Sequence, residues 1–218
     1  MRKPLILSLL PLAAAMLAFP VQAATFQIAE DEHSLNEVTF TSIAPLVRMI
    51  GRTRDIEGKA DLDPARPQAA TGRFVVNLAA LDTGIKLRNK HMLSTLDVEK
   101  YPVAILQIDK IETAAKELKP NQTVGVMAAG SFTIRGVTRP ITVPGQVTFL
   151  TTAPGTRDAD WVRLETRFPI KLADYQIPVS RAILGIKVAD EVTIEVTAMA
   201  KASGTAQANP PAKSSSAR

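Results

Sequence analysis

Along residues 131–149 apolar and polar side chains alternate. Phe132 and Ile134 fall on one parity, with Ser131, Thr133 and Arg135 on the other. Beyond 136–140 the alternation resumes, Ile141, Val143, Val147 and Phe149 being set against Thr142, Gln146 and Thr148. A strand turns successive side chains to opposite faces, so this pattern predicts two strands, each with one apolar and one wetted face. Gly136 permits a turn and Pro140 lacks a ladder donor, so the interval between them is expected to be the hairpin connection.

The same period recurs over 37–41 (extended by 26–29), 55–62, 73–81, 122–135, 140–150, 162–170 and 192–198, and 103–111, apolar in part on both faces, is counted as a further strand. In 73–81 the shared face is Phe74, Val76, Leu78 and Ala80. Eight antiparallel strands with one polar face each favour closure over a sandwich, because closure removes the edges that invite pairing with other chains. The expected fold class is therefore all-β, an eight-stranded antiparallel barrel. Residues 85–96 depart from the pattern. There Ile85, Met92, Leu93 and Leu96 recur at helical spacing, with Lys86, Arg88 and Lys90 opposite, which predicts one short amphipathic helix. A second helical turn is expected over 43–50, with Pro45 in its first turn.

The two ends differ from the middle. Arg2 and Lys3 precede an apolar run over 5–19, and Val21-Gln22-Ala23 offers small residues before a cut, so 1–23 is expected to be a secretory signal and the protein periplasmic. Residues 201–218 are rich in Ser, Ala and Pro without an apolar period, and are expected to be a disordered tail. That leaves 24–200 as one domain.

Charge changes the picture only by exclusion. Five of the 26 Lys and Arg lie in the expected signal and tail, which leaves 21 in the domain against 21 Asp and Glu. A nucleic-acid binder needs a surplus of cations to displace counterions from phosphates, and the domain has none. No catalytic constellation is visible either: there is no Cys, no Gly-x-Ser-x-Gly and no His-Glu-x-x-His. His33 follows Glu30, Asp31 and Glu32, which reads as a solvated acidic turn in preference to a metal cluster. No enzyme activity, cofactor or metal is expected.

The inward faces are more informative. Gly58, Ala60, Ala80, Ala128, Gly130, Gly145 and Ala198 lie on the apolar parity among larger residues. An eight-stranded barrel is just wide enough to be filled by side chains or to hold one small ligand. The alanines are expected to make space, whereas the glycines are equally well explained by bulges needed for closure. With few charges facing inward, a ligand there would be long and apolar. The residues expected to line it are Phe40, Ala80, Met92, Val126, Ala128, Phe132, Phe149, Leu164 and Phe168.

Several ordered motifs resemble one known family. They are His33-Ser34 before a strand ending at Phe40, Arg88-Asn89-Lys90-His91-Met92 leading to Glu99-Lys100-Tyr101-Pro102, Ile134-Arg135-Gly136-Val137-Thr138-Arg139-Pro140, and Ala189-Asp190-Glu191-Val192-Thr193-Ile194. Together they are similar to the YceI-like exported proteins of bacteria over about 25–200. That resemblance implies a lipocalin-like barrel and a polyisoprenoid ligand. The chain departs from the family at Asn89, where Asp is common, and 170–176 matches only loosely.

The leading expectation is a soluble periplasmic carrier of an isoprenoid chain, a polyprenyl lipid or an isoprenoid quinone. A fatty acid or fatty amide in the same barrel, and a side-chain-filled structural or interaction protein, are the alternatives. The helix either plugs one end or is a lid whose basic side makes transient contact with a membrane surface.

Overall fold

The structure, a computed structural model, describes residues 23–28, 36–151 and 160–205. The signal-like segment to residue 22, the Glu30 to His33 turn with Ser34, and everything past 205 lie outside the described residues. Among the described residues ten strands and one α-helix follow one another: β1 (Ala24–Ile28), β2 (Glu37–Ile43), β3 (Arg48–Thr53), β4 (Ile56–Leu62), β5 (Thr71–Asn77), α1 (Lys86–Leu96), β6 (Val103–Glu112), β7 (Thr123–Ile134), β8 (Val137–Leu150), β9 (Trp161–Lys171) and β10 (Glu191–Thr205).

The strands form one antiparallel sheet in the order β1-β4-β5-β6-β7-β8-β9-β10-β2-β3, and β10 also pairs with β1, which closes the ring. The long β10 carries β2 along 193–197 and β1 along 200–205 on the same edge. Thus β1 and β2 are two pieces of one stave, and β3 and β4 two pieces of the next. Ten strands make the eight-stranded barrel that the alternation predicts.

Closure across the broken stave needs help, because β10 has no strand partner on that side between its β2 and β1 pairings. The buried side chain of Asn36 fills the gap, its Oδ1 accepting the Met199 N–H at 2.7 Å. At the other end of β2, buried Ser42 ties down the approach to β10, its Oγ accepting from Ala189 N at 3.0 Å. A backbone donor left unpaired at such a seam would cost about 1–3 kcal/mol.

Four local expectations change. The break at 136–140 contracts to Arg135 and Gly136, both at positive φ (53° and 73°), a two-residue turn that matches strand twist. Gly136 is needed there, since a Cβ would fall on the Tyr101 ring. Pro140 instead sits within β8 opposite Ser131. Counting alternately from the turn, Pro140 and Pro144 point their nitrogens away from β7, so the β7–β8 ladder survives them. The cost falls on the other edge: β8 pairs with β9 only over 145–150.

The helical turn expected at 43–50 is a β-hairpin, in which Ala44 and Val47 exchange backbone hydrogen bonds of 3.0 and 3.2 Å around Pro45 and Leu46. The strand expected over 73–81 ends at Asn77, whose side chain accepts from Ala79 N at 3.0 Å and starts a 3-10 turn, Leu78–Ala80. The first five residues of the expected tail do not fit that expectation. Residues 201–205 are strand, with Phe26 opposite Ala202, Ala202 N donating to Asp160 O at 2.8 Å, and the Lys201 ammonium 5.3 Å from the Trp161 ring centre.

Glycines on the inward parity serve close approach more than space. A Cβ on Gly130 would collide with the Gln107 carbonyl, where β6 bulges between Ile108 and Lys110, and Gly58 lies under the Phe74 ring.

Candidate functional site

Period-two alternation turns Val38, Phe40, Phe74, Val76, Val126, Ala128, Phe132, Leu164, Phe168, Ile194 and Val196 to the barrel axis. They enclose a cavity of about 860 Å³. Two buried clusters form its walls: one around Phe132, Phe168, Ile170 and Val143, the other around Phe26, Ile56, Leu62 and Val162. Ala60, Ala128 and Ala198 border the cavity, so the space exists where the wall carries small side chains.

One end of the barrel is built shut. Buried Leu118 lies over it, its N–H bonded to Pro64 O at 2.7 Å, and Asn121 N donates to Phe149 O at 2.8 Å. Phe149 meets Phe26 edge-on at 6.5 Å. Buried Asp63 accepts from Ala65 N at 2.9 Å and from Arg66 Nε at 2.8 Å, which fixes the turn beneath Leu118.

At the other end α1 and the segment after β9 meet the β2–β3 hairpin. Where β8 and β9 part, a 3-10 turn, Leu172–Tyr175, fills the seam. Arg139 Nε donates to Asp174 O at 3.0 Å, Arg135 Nη1 to Gln176 O at 2.8 Å, and the Tyr175 ring meets Phe132 edge-on at 5.5 Å. Burial, with the nearby Asp174 charge, pushes the Tyr175 hydroxyl above its ordinary value, against the opposing charge of Arg139. Ile177, Val179, Ile183 and Val188 continue the apolar lining toward the mouth, and Leu46 N reaches Ile186 O at 3.1 Å.

Cationic lining is confined to this mouth: Arg88 from α1 and Lys187 from the loop, with His91, Ser94, Thr95 and Ser180 nearby. The helix is oriented differently from its expected amphipathic reading. Arg88, Met92 and Leu96 share the inward face, while Ile85 and Leu87 are exposed with Lys86 and Lys90.

Of the nine residues expected to line a ligand space, Phe40, Met92, Val126, Ala128, Phe132, Leu164 and Phe168 border the cavity. Ala80 does not. It lies exposed on the 3-10 turn, because β5 stops before it and parity is lost. Phe149 is buried in the closed end and is not part of the lining. The segment 177–188 was missed altogether, and no periodic signal marks it. Phe26, Leu106 and Ile108 also line the cavity, and their parity within strands could have nominated them. Among the described residues no group of three His, Asp or Glu could hold a metal ion, and no helix is long and apolar enough to cross a membrane.

Comparison with known proteins fits this architecture. The chain is 29% identical over 135 residues to UPF0312 proteins of Yersinia enterocolitica and Yersinia pestis, covering 59% of this chain. It spans 63% of the length of those relatives. Among solved structures, BcnA of Burkholderia cenocepacia superposes with a TM-score of 0.61 at 23% identity, over 75% of this chain and 95% of that one. A polyisoprenoid binding domain from Saccharophagus degradans, implicated in plant cell wall breakdown, gives 0.60 at 17% identity, over 83% and 99%. The Campylobacter jejuni YCEI protein gives 0.54 at 18%, over 69% and 83%. At such identities these likenesses speak to the fold. The model of the YceI-like domain matches residues 26–200, and the chain belongs to the YceI-like family.

Proposed function

We propose that this protein is a non-catalytic periplasmic carrier that encloses a long apolar isoprenoid chain, a polyprenyl lipid or the tail of an isoprenoid quinone. The observation that carries this reading is the cavity of about 860 Å³, lined mainly by apolar side chains, with Glu165, Gln146 and Thr166 the polar exceptions along the β8–β9 wall and its cationic side chains gathered at one mouth. Burial of apolar carbon is worth ~0.8 kcal/mol per CH₂, so a few five-carbon units suffice for micromolar affinity. That a domain sharing the fold, from Saccharophagus degradans, is a polyisoprenoid binding domain supports the isoprenoid reading over the acyl one. The basic-then-apolar run within 1–23 supports export.

The mouth is also where the chain meets a membrane surface in this reading. Ile43 and Leu46 are 67% and 68% exposed at the tip of the β2–β3 hairpin, beside exposed Ile186. Exposed apolar tips next to an opening suit transient contact with lipid. Organic extraction of the protein purified from its native compartment, followed by mass spectrometry, tests the reading. An isoprenoid series is expected. An acyl chain would transfer the barrel to fatty-acid or fatty-amide binding, and an empty extract together with no uptake of added prenol would overturn the carrier.

A further inference from the structure

The barrel leaves one edge of β3 open. The mutual backbone bonds between Ala44 and Val47 set the phase of the β2–β3 ladder. Counting alternately from them, Met49 and Gly51 turn their N–H and C=O groups to β2, while Arg48, Ile50 and Arg52 turn theirs away. Arg52 finds a partner, exchanging backbone hydrogen bonds of 2.9 Å with Asp82. That pairing stops at one residue pair, because Gly84 follows at a φ of 76° and the chain leaves the sheet for α1. Among the described residues nothing bonds the outward N–H and C=O groups of Arg48 and Ile50. Unpaired peptide groups on a strand edge are a template for a strand of another chain.

The side chains beside this edge carry charge of one sign. Arg48, Ile50 and Arg52 share the outer face of β3, all exposed, and border a hollow of about 570 Å³ that Arg88 lines from α1. Among the described residues none of the three arginines is in an ion pair. Glu37 and Asp82 also face the hollow, but the Asp82 carboxylate is already engaged, accepting from Asn89 Nδ2 at 2.6 Å and Gly84 N at 2.8 Å. A second copy of the chain is a poor occupant. Antiparallel pairing of two β3 edges would crowd the arginines of both copies onto one face, and like charges across a ladder are destabilising.

We infer that the open edge of β3 takes up an extended acidic segment of a partner protein as an added antiparallel strand. The segment's backbone bonds Arg48 and Ile50, and an apolar side chain covers Ile50. Carboxylates two residues to either side of it reach Arg48 on one flank and Arg52 with Arg88 on the other. The partner motif is therefore acid–x–apolar–x–acid, the period of a strand. Anionic lipid could meet the arginines, but outward N–H and C=O groups in alternation match another backbone. The inference does not rest on the carrier reading. Because Thr39 and Arg88 line both the hollow and the cavity, a partner seated here stands beside the mouth.

Titration of the purified protein with a capped fluorescent peptide, Thr-Glu-Thr-Val-Thr-Glu-Thr, tests this. Two controls accompany it, one with both Glu replaced by Lys and one methylated on the valine nitrogen. The acidic peptide is expected to bind about tenfold tighter than either, the size of a lost charge-assisted or backbone hydrogen bond. Arg48→Gln with Arg52→Gln should weaken it about tenfold and leave the melting temperature in place, since both side chains are exposed. Hydrogen exchange gives an independent readout. Without peptide the Arg48 and Ile50 amides should exchange freely while those of Met49 and Gly51 are protected, and the acidic peptide should protect the first two. A methylated peptide that binds as tightly as its parent overturns the inference, and so does an acidic peptide that leaves those two amides unprotected. The arginines would then be a charge patch for any anionic surface, a membrane included. Equal binding of the lysine peptide, or no binding at millimolar peptide, overturns it as well.

Discussion

The two ends of the barrel are made of the same strands and finished in opposite ways. At the end where β4 stops, Phe26, Phe149, Leu62 and Leu118 are buried together, and the loops over them are tied by short hydrogen bonds. At the end that carries α1, apolar tips point into solvent, Arg135 and Arg139 donate to backbone carbonyls, and the β8–β9 ladder gives way to these side-chain-to-backbone bonds. The difference separates two tasks within one wall. A barrel must seal somewhere to gain stability, and must leave some backbone and side chains uncommitted to admit a ligand.

The sharpest way to break the comparison is to exchange equal insults between the ends. Phe149→Ala removes a buried ring with an edge-on partner, and should cost about 3–5 kcal/mol in denaturant unfolding. Leu46→Ser, at the exposed hairpin tip, should change stability by no more than about 0.5 kcal/mol. Similar losses at both would show that the mouth is as tightly built as the base.

The ring closure gives an intermediate effect. Truncation after residue 200 removes the β10 segment opposite Ala24, Thr25, Phe26 and Gln27, and should cost roughly 2 kcal/mol, a few backbone hydrogen bonds at about 0.5–1.5 kcal/mol net each. Asn36→Ala leaves Met199 N without its acceptor and should cost about 1–3 kcal/mol. A truncated protein that melts like the full mature chain would mean the β1–β10 pairing adds nothing to the sealed end.

Ala128→Phe tests the space itself. In a packed core such an insertion costs about 1–3 kcal/mol, whereas growth into an open cavity costs less and removes room for ligand. Retained β circular dichroism and melting temperature with loss of prenol uptake is the expected outcome. Ala80→Leu, on the exposed turn, serves as the control and should alter neither. A large drop in melting temperature for Ala128→Phe would mean that the barrel is filled by its own side chains.

What the sequence revealed divides along the same line. Staves with strict alternation, such as β7 and β9, could be read almost to their ends, because one buried face imposes a period of two. Parity was misleading only where a local side chain ended the strand early, as Asn77 does before Ala80, or where a proline's nitrogen faced away from the ladder, as at Pro140. The mouth was far less legible. Residues 177–188 line it without any period, and Arg88 looked like part of a solvated helix face until the fold turned it inward. Nothing in the composition could bring Arg48 and Arg52 of β3 and Arg88 of α1 to border one surface hollow, since that depends on the hairpin that replaced an expected helix at 43–50.

The smallest effect concerns how a ligand arrives. Lys86 and Lys90 are exposed on α1 beside Ile85 and Leu87, which are 47% and 63% exposed, so basic and apolar groups lie together on the outer surface of the mouth. Such a surface would be drawn to anionic lipid by charge and held by its apolar tips. Surface charges act over a screening length of ~8–10 Å near physiological salt and further when salt is low. Lys86→Glu with Lys90→Glu should therefore slow prenol pick-up from vesicles containing anionic lipid severalfold at low ionic strength, less at high, and not at all from neutral vesicles. Each position has its charge reversed and is exposed, so stability should stay within about 0.5 kcal/mol of the parent. Stopped-flow transfer from labelled vesicles at several salt concentrations provides the measurement. Rates indifferent to both substitutions at every salt would make α1 a fixed plug over the cavity, and would move the route of uptake to the β2–β3 tip, where Ile43 and Leu46 stand exposed.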